Sequence, residues 1–333
     1  MATPDCCDIH AHFIPPSLVE DLRKGSAVDG LQLENRGGEP WVLHRQGPSY
    51  PLSPELHDLE ARMALMDRLG IDVAVVSVSP TLLFYWLDSS AAADWARQVN
   101  NDIARLVAAA GGRVVGVATL PMQDADASVA EAERATSELG LRGVQMGPMI
   151  LDRTLDDDAY FPVLSTLERL DVPMIMHPYF VGAGNRPGLD KFYLTNLVGH
   201  PYQTAVGASR LIMSGVLDRL PSLRPVLVHG GGYLPYQIGR LDHGNAVRPE
   251  AKACQQRPSS YLRRFVFDTL AHSPAALQYL IDLVGSDRVA YGTDFPYDMG
   301  GGSAAEHLGG VEVDEVAARR IRGGNTAELF GIA

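Results

Sequence analysis

The sequence predicts an α/β fold, a (β/α)8 TIM barrel with a small insertion after its first strand, and three observations carry that prediction. Short β-branched apolar runs recur along the 333 residues, each is followed by a longer stretch with helical spacing, and the pair repeats eight times. A length near 330 residues suits one such barrel, so residues 1–333 are expected to form a single domain with residues 13–52 as a lid.

The elements follow in order. The first run, residues 6–10, leads into Asp8-Ile9-His10-Ala11-His12, and the Gly- and Pro-rich insertion 13–52 holds a strand-like Trp41-Val42-Leu43-His44. Residues 54–69 predict a helix because Leu59, Met63, Met66 and Leu69 share one face. Run two, residues 73–78, is apolar at nearly every position, as a parallel strand covered on both faces should be, and a helix over 91–110 follows. Strands at 114–120 and 143–146 alternate with helices at 125–139 and 156–170. Run five, residues 172–177, precedes a second insertion, 178–196, and a helix over 197–220. Runs at 225–229, 265–270 and 289–294 alternate with helices over 234–247, 274–284 and 314–329. The competing architecture is an open doubly wound sheet. Its usual GxGxxG after the first strand is absent, and in the nearest approach, Gly182 to Gly188, Pro187 holds the last glycine's place.

Composition narrows the function. With 46% hydrophobic and 20% charged residues the chain is not disordered, collagen-like or a coiled coil. Net charge is -12 and no run of five or six Lys/Arg occurs, which argues against nucleic acid or an anionic membrane as partner. No stretch of 18 apolar residues and no signal-like N-terminus is present, and the three cysteines, Cys6, Cys7 and Cys254, form no disulfide framework, so a reducing, cytoplasmic location is expected.

Chemistry concentrates where strands end. Two residues apart on a strand, His10 and His12 face the same way. Run five ends at His177, run six at His229 before Gly230-Gly231-Gly232, and run eight at Asp294. Structural histidines have no reason to gather at one face of separate strands, and imidazoles with a carboxylate are the ligand set of zinc or a similar divalent ion. His44, His57, His200, His243, His272 and His307 read instead as surface or hydrogen-bonded histidines, and Cys6 and Cys7 as inert.

In Asp8-Ile9-His10-Ala11-His12, Phe84-Tyr85-Trp86, Asn100-Asn101-Asp102, Thr119-Leu120-Pro121-Met122-Gln123, Gly143-Val144-Gln145, Leu197-Val198-Gly199, His229-Gly230-Gly231-Gly232 and Gly292-Thr293-Asp294 the chain resembles the amidohydrolase superfamily. Within it, the similarity is to the branch of metal-dependent decarboxylases typified by aminocarboxymuconate semialdehyde decarboxylase. The resemblance implies that His10, His12, His177 and Asp294 ligate one Zn2+, that His229 is an acid/base beside a metal-bound hydroxide, and that Asp294 shares in catalysis. Hydroxybenzoate relatives with Glu at the first position use manganese; His10 makes Mn2+ the less favoured ion. The strand-four end, Gly143 to Gly147, has no lysine that could bridge a second metal.

The resemblance also implies a pocket. Trp41, Arg45, Phe84, Trp86, Asn196, Arg240, Arg248 and Tyr297 are its candidate substrate contacts, with Arg240 and Arg248 donated across a homodimer interface. Val42 stands where the family has a carboxylate-binding arginine, and Thr195-Asn196 where it has a tryptophan; Arg45 is the candidate replacement cation. The expected function is nonoxidative decarboxylation of a small unsaturated or aromatic carboxylic acid. The alternatives are hydrolysis of a small amide, lactone or imine by the same metal kit, and a noncatalytic metal-binding relative, disfavoured because no proposed ligand or acid/base is missing.

Overall fold

The computed structural model describes residues 4–25, 30–44, 49–179 and 188–333. Eight parallel strands follow one another in chain order: β1 (Cys7–Phe13), β2 (Val73–Val78), β3 in two pieces (Val114–Gly116 and Ala118–Thr119), β4 (Val144–Met146), β5 (Met174–Met176), β6 (Pro225–Leu227), β7 (Val266–Asp268) and β8 (Val289–Ala290). Each pairs with the next, the ladder passing through β3 across its break at Val117. The segment after β8 returns to β1 through Ile9 N→Tyr291 O (2.8 Å), Asp294 N→His10 O (2.7 Å) and His12 N→Phe295 O (2.7 Å), with one parallel bridge, Ala11–Phe295, in place of a continuous ladder. A doubly wound sheet, whose strand order reverses at its middle, has no such return.

The interior is built from alternate residues of these strands. Cys7, Ile9, Val73, Val75, Val117, Ile175, Val226, Val228 and Val266 form one buried cluster, to which Ala327 and Phe330 of the last helix also belong. Burial pushes the Cys6 and Cys7 thiols up to about 12, which keeps them protonated and unreactive. The surrounding helices pack on the outside of the strands in a second, larger cluster.

The lid is more regular than its composition suggests. A helix, Pro16–Arg23, precedes an antiparallel sheet of Leu31–Arg36, Glu39–His44 and Tyr50–Pro51, so the strand-like Trp41 to His44 is the end of a six-residue strand. Arg45 lies outside the described residues, as does most of the segment from Gly182 to Gly188.

Helix limits differ from expectation where a side chain or glycine intervenes. Asp58 accepts from Ala61 N, so the helix runs Leu59–Leu69 and Pro54–Leu56 is a separate tight turn. The expected 197–220 helix is a π turn, Thr195–Gly199, then His200–Met213, and a short Val216–Arg219 after left-handed Gly215 (φ 77°). The expected 314–329 helix is split into Glu315–Arg319, a π turn Arg320–Gly324 and Asn325–Phe330. Gly323 there approaches Asp5 so closely that a β-carbon would lie 2.7 Å from its carbonyl oxygen.

Candidate active site

The β1 ladder slips by one residue: Asp8 pairs with Ala74, but Ala11 pairs with Val76. This bulge lets Ile9 pack in the barrel interior while His10 and His12 still converge at its mouth, a use of bulges common beside active sites. His177 follows β5, and His229 and Asp294 lie in the irregular backbone beyond β6 and β8. Both latter residues hold left-handed backbone, φ 56° and 60°, which costs energy and marks a constrained site.

Five side chains meet there. His10 Nε2 lies 3.1 Å from His12 Nε2 and 3.2 Å from Asp294 Oδ1, and His12 Nε2 lies 2.9 Å from the same oxygen. His177 Nε2 is 3.9 Å from Asp294 Oδ1, and His229 Nε2 is 3.6 Å from Asp294 Oδ2. His10, His177, His229 and Asp294 each offer an atom within 4.8 Å of the others, a grouping of three histidines and one aspartate that could hold a metal ion, with His12 beside it. Outer partners set the tautomers: His10 Nδ1 donates to Asp268 (2.8 Å) and His177 Nδ1 to Pro178 O (2.6 Å), leaving Nε2 of each facing the centre. His177 Nε2 is buried there without a hydrogen-bond partner. An acceptor with nothing to accept from is what a divalent ion would satisfy, so the residues fit one.

Electrostatics agree. Burial lowers His12 to about 4 and drives His177 well below the usual histidine range, so both are neutral at pH 7, the form in which imidazole can bind an ion. Burial also opposes charge on His10, but Asp294 and Asp268 outweigh it and raise the imidazole to about 10. Burial works to raise Asp294, yet His10, His12 and His177 hold it well below the carboxylate range.

Two supporting carboxylates were given no role by the sequence. Asp268 Oδ2 accepts from His10 Nδ1 and from His229 N (2.9 Å), and its Oδ1 from Gly230 N (2.7 Å) and Leu270 N (3.1 Å). Asp8 accepts from His10 N (2.9 Å), Thr293 N (3.0 Å) and Thr293 Oγ1 (2.6 Å), bracing β1 against the segment that carries Asp294. The one sequence signal was a carboxylate inside an otherwise apolar run, as in Phe265-Val266-Phe267-Asp268.

A cleft with two lobes opens over the centre. Both lobes are lined by Asn196, His200, His229, Asp294 and Met299. The lid-side lobe, ≈ 190 Å³, adds Trp41, Tyr50, Thr81 and Tyr297, and the other, ≈ 320 Å³, adds mostly apolar side chains. Among the candidate contacts, Trp41, Asn196 and Tyr297 therefore line the cleft. Phe84 and Trp86 line neither lobe; their rings pack with His44, and Phe84 also with Trp95. Val42 is buried in the lid. Arg240 and Arg248 are exposed on and after the helix Leu234–Val247, and Arg248 Nε donates to Glu250 (2.9 Å). His200, read as a surface or hydrogen-bonded histidine, is buried and stacks near-parallel on His229 at 6.3 Å. A chain of hydroxyls runs from Tyr50 to Thr81 (2.8 Å), to Ser79 (2.8 Å) and to Tyr297.

Comparison with known proteins follows the same lines. The model of a family described as Amidohydrolase matches residues 7–332. The 2-amino-3-carboxymuconate-6-semialdehyde decarboxylase of Dictyostelium discoideum is 32% identical over 333 residues, covering 98% of this chain and 91% of that protein. The apo crystal structure of Metarhizium anisopliae IDCase superposes with a TM-score of 0.85 at 25% identity, covering 99% and 97% of the two chains. A dihydroxybenzoic acid decarboxylase from Polaromonas sp. JS666, solved with bound manganese and the inhibitor 2-nitroresorcinol, matches at 26% identity and a TM-score of 0.79, covering 98% and 96%.

Proposed function

The chain belongs to the amidohydrolase family, and from that premise we propose that it is a zinc-dependent nonoxidative decarboxylase of a small aromatic or unsaturated carboxylic acid. The observation that carries the reading is the contrast between two histidines. His12 is fully buried and lines neither lobe, whereas His229, its side chain 15% exposed, lines both. His10, His12, His177 and Asp294 would hold the ion, and His229 faces the substrate as acid/base. Three neutral imidazoles and a carboxylate suit zinc, while the manganese of the Polaromonas protein keeps that ion as the competing choice.

When bound, the ion supplies Lewis-acid stabilisation of developing negative charge. His229 delivers a proton to the carbon that bears the carboxylate. The bond to the carboxylate then breaks, its electron pair restores the π system, and CO2 leaves. Asp268 fixes the His229 backbone for that transfer, and Asn196 and Tyr297 orient the substrate from the lid side. We place Arg240 and Arg248 at a homodimer interface, with Arg248 reaching the neighbouring cleft.

The test is CO2 release from a panel of hydroxybenzoates and unsaturated acids in D2O, set against hydrolysis of lactones and lactams. The expected result is one CO2 per acid and one deuterium at the carbon that lost it. His229→Ala should keep its zinc and lose at least about a hundredfold in kcat, whereas His12→Ala should lose zinc. Hydrolysis without CO2 release, or zinc lost with His229 and kept without His12, would overturn the reading.

A further inference from the structure

We propose that the larger lobe of the cleft is a substrate subsite for an apolar substituent, a short alkyl or aryl group carried by the acid. This rests on the decarboxylase reading of the same site and names a part of the substrate which that reading leaves open. The two lobes meet at His229 and Asp294, so a molecule with its carboxylate at the metal centre extends into one, the other or both. The lid-side lobe is bordered by Tyr50, Thr81 and Tyr297, whose hydroxyls belong to the chain that runs through Ser79. The larger lobe is walled by Leu197, Leu270, Ala271, Ala276 and Leu280, with the exposed Tyr233, Tyr236 and His272 also lining it, and among the described residues no Lys or Arg lines it. Its buried wall, Leu270 and Leu280, offers a polar group no hydrogen bond and rewards an apolar one.

The space is kept open by small residues at defined places. From His229 to Gly232 the chain turns with positive φ throughout, and a β-carbon at Gly230 would point at Ala271 (3.6 Å) and Leu280 (4.0 Å). Ala276, in the first turn of the helix Pro274–Val284, contributes only a methyl. Leu270 and Leu280, 3% and 2% exposed, belong to the packed body of the protein, so the far wall is preformed. A preformed apolar volume of this kind rewards each buried methylene by about fourfold in affinity.

The experiment is calorimetric binding of resorcinol, 5-methylresorcinol and 5-propylresorcinol to the zinc-loaded protein, which reads the subsite apart from turnover. Kd should fall about fourfold per methylene, roughly 60-fold from resorcinol to the propyl compound. Ala276→Phe should reduce that ratio toward one. A flat or rising Kd across the series, no binding of the propyl compound, or the same dependence in Ala276→Phe would overturn the proposal. CO2 release from 2,4-dihydroxybenzoate, measured in parallel, separates the two failures. Turnover with a flat series removes only the subsite, and a steep series without turnover removes only the decarboxylase reading.

Discussion

At the scale of single residues, the site depends on one carboxylate outside the proposed ligand set. Asp268 accepts from His10, the proposed metal ligand, and from the backbone of His229, the proposed acid/base, with oxygens buried beneath both. Asp268→Asn would keep the shape and remove the charge that orients and enriches His10. Metal affinity should fall about 10- to 100-fold, with zinc content read by atomic absorption, and kcat should fall further than occupancy explains. If zinc affinity is unchanged, His10 is held by something else. The raised His10 has a second consequence. In the metal-free protein its pKa, about 10, exceeds the unfolded value, so its protonated form stabilises the fold fully below about 6.5, and that contribution is lost as pH rises through about 10. Zinc binding near pH 7 must displace that proton, so calorimetry in buffers of different ionisation enthalpy should find close to one proton released per zinc. No release would mean that His10 is neutral before the ion arrives. The histidines were legible in the sequence because they end apolar strands. Asp268 was not, because its role lies in four hydrogen-bond partners that only the fold assembles.

At the scale of elements, the order and type of the strands and helices were read from the sequence because their periodicity is local, while several limits were not: the expected 265–270 and 289–294 runs pair only over Val266–Asp268 and Val289–Ala290. What escaped was decided by distant contacts: the π turns at Thr195–Gly199 and Arg320–Gly324, and the one-residue bulge in β1. The turn carrying His229 belongs to the same class. Gly232 sits at φ 63° against Pro201, and a β-carbon there would run into that residue's carbonyl oxygen. Gly232→Ala should therefore push the turn off the helix His200–Met213, lowering stability by about 2 kcal/mol and kcat through the displaced His229, while zinc stays bound. Asp124→Ala is the matched control, because it removes only the cap that accepts from Ala127 N (2.9 Å). It should cost about 1 kcal/mol in thermal unfolding and leave kcat alone. Equal kcat loss in both variants would show a general response to destabilisation in place of a local one.

For the whole molecule, the barrel was legible because eight alternations leave few topologies, and the structure adds the return to β1; among the described residues no helix is long and apolar enough to cross a membrane. The assembly was not legible, since an arginine on a surface helix looks the same whether it meets water or a second copy. Within one chain Arg248 pairs with Glu250 beside it, and Val247, 56% exposed, lies next to it. Tyr236 and Tyr279 stack at 4.9 Å on the same side of the molecule as the cleft rim, each at least 40% exposed. If a second copy covers this surface, Arg248→Ala should lower kcat/KM for the acid by roughly 30-fold or more, as for a desolvated charge-assisted contact, with zinc content unchanged. Mixing Arg248→Ala with His10→Ala then gives a heterodimer in which the site with intact His10 receives its arginine from the His10→Ala chain. That one site should recover activity that neither parent has, and pull-down through a tag on one chain must show that subunits exchanged. Exchanged dimers with no activity above the parents would rule out donation across the interface and leave Arg248 as a surface cation, with Arg45 the better partner for the carboxylate.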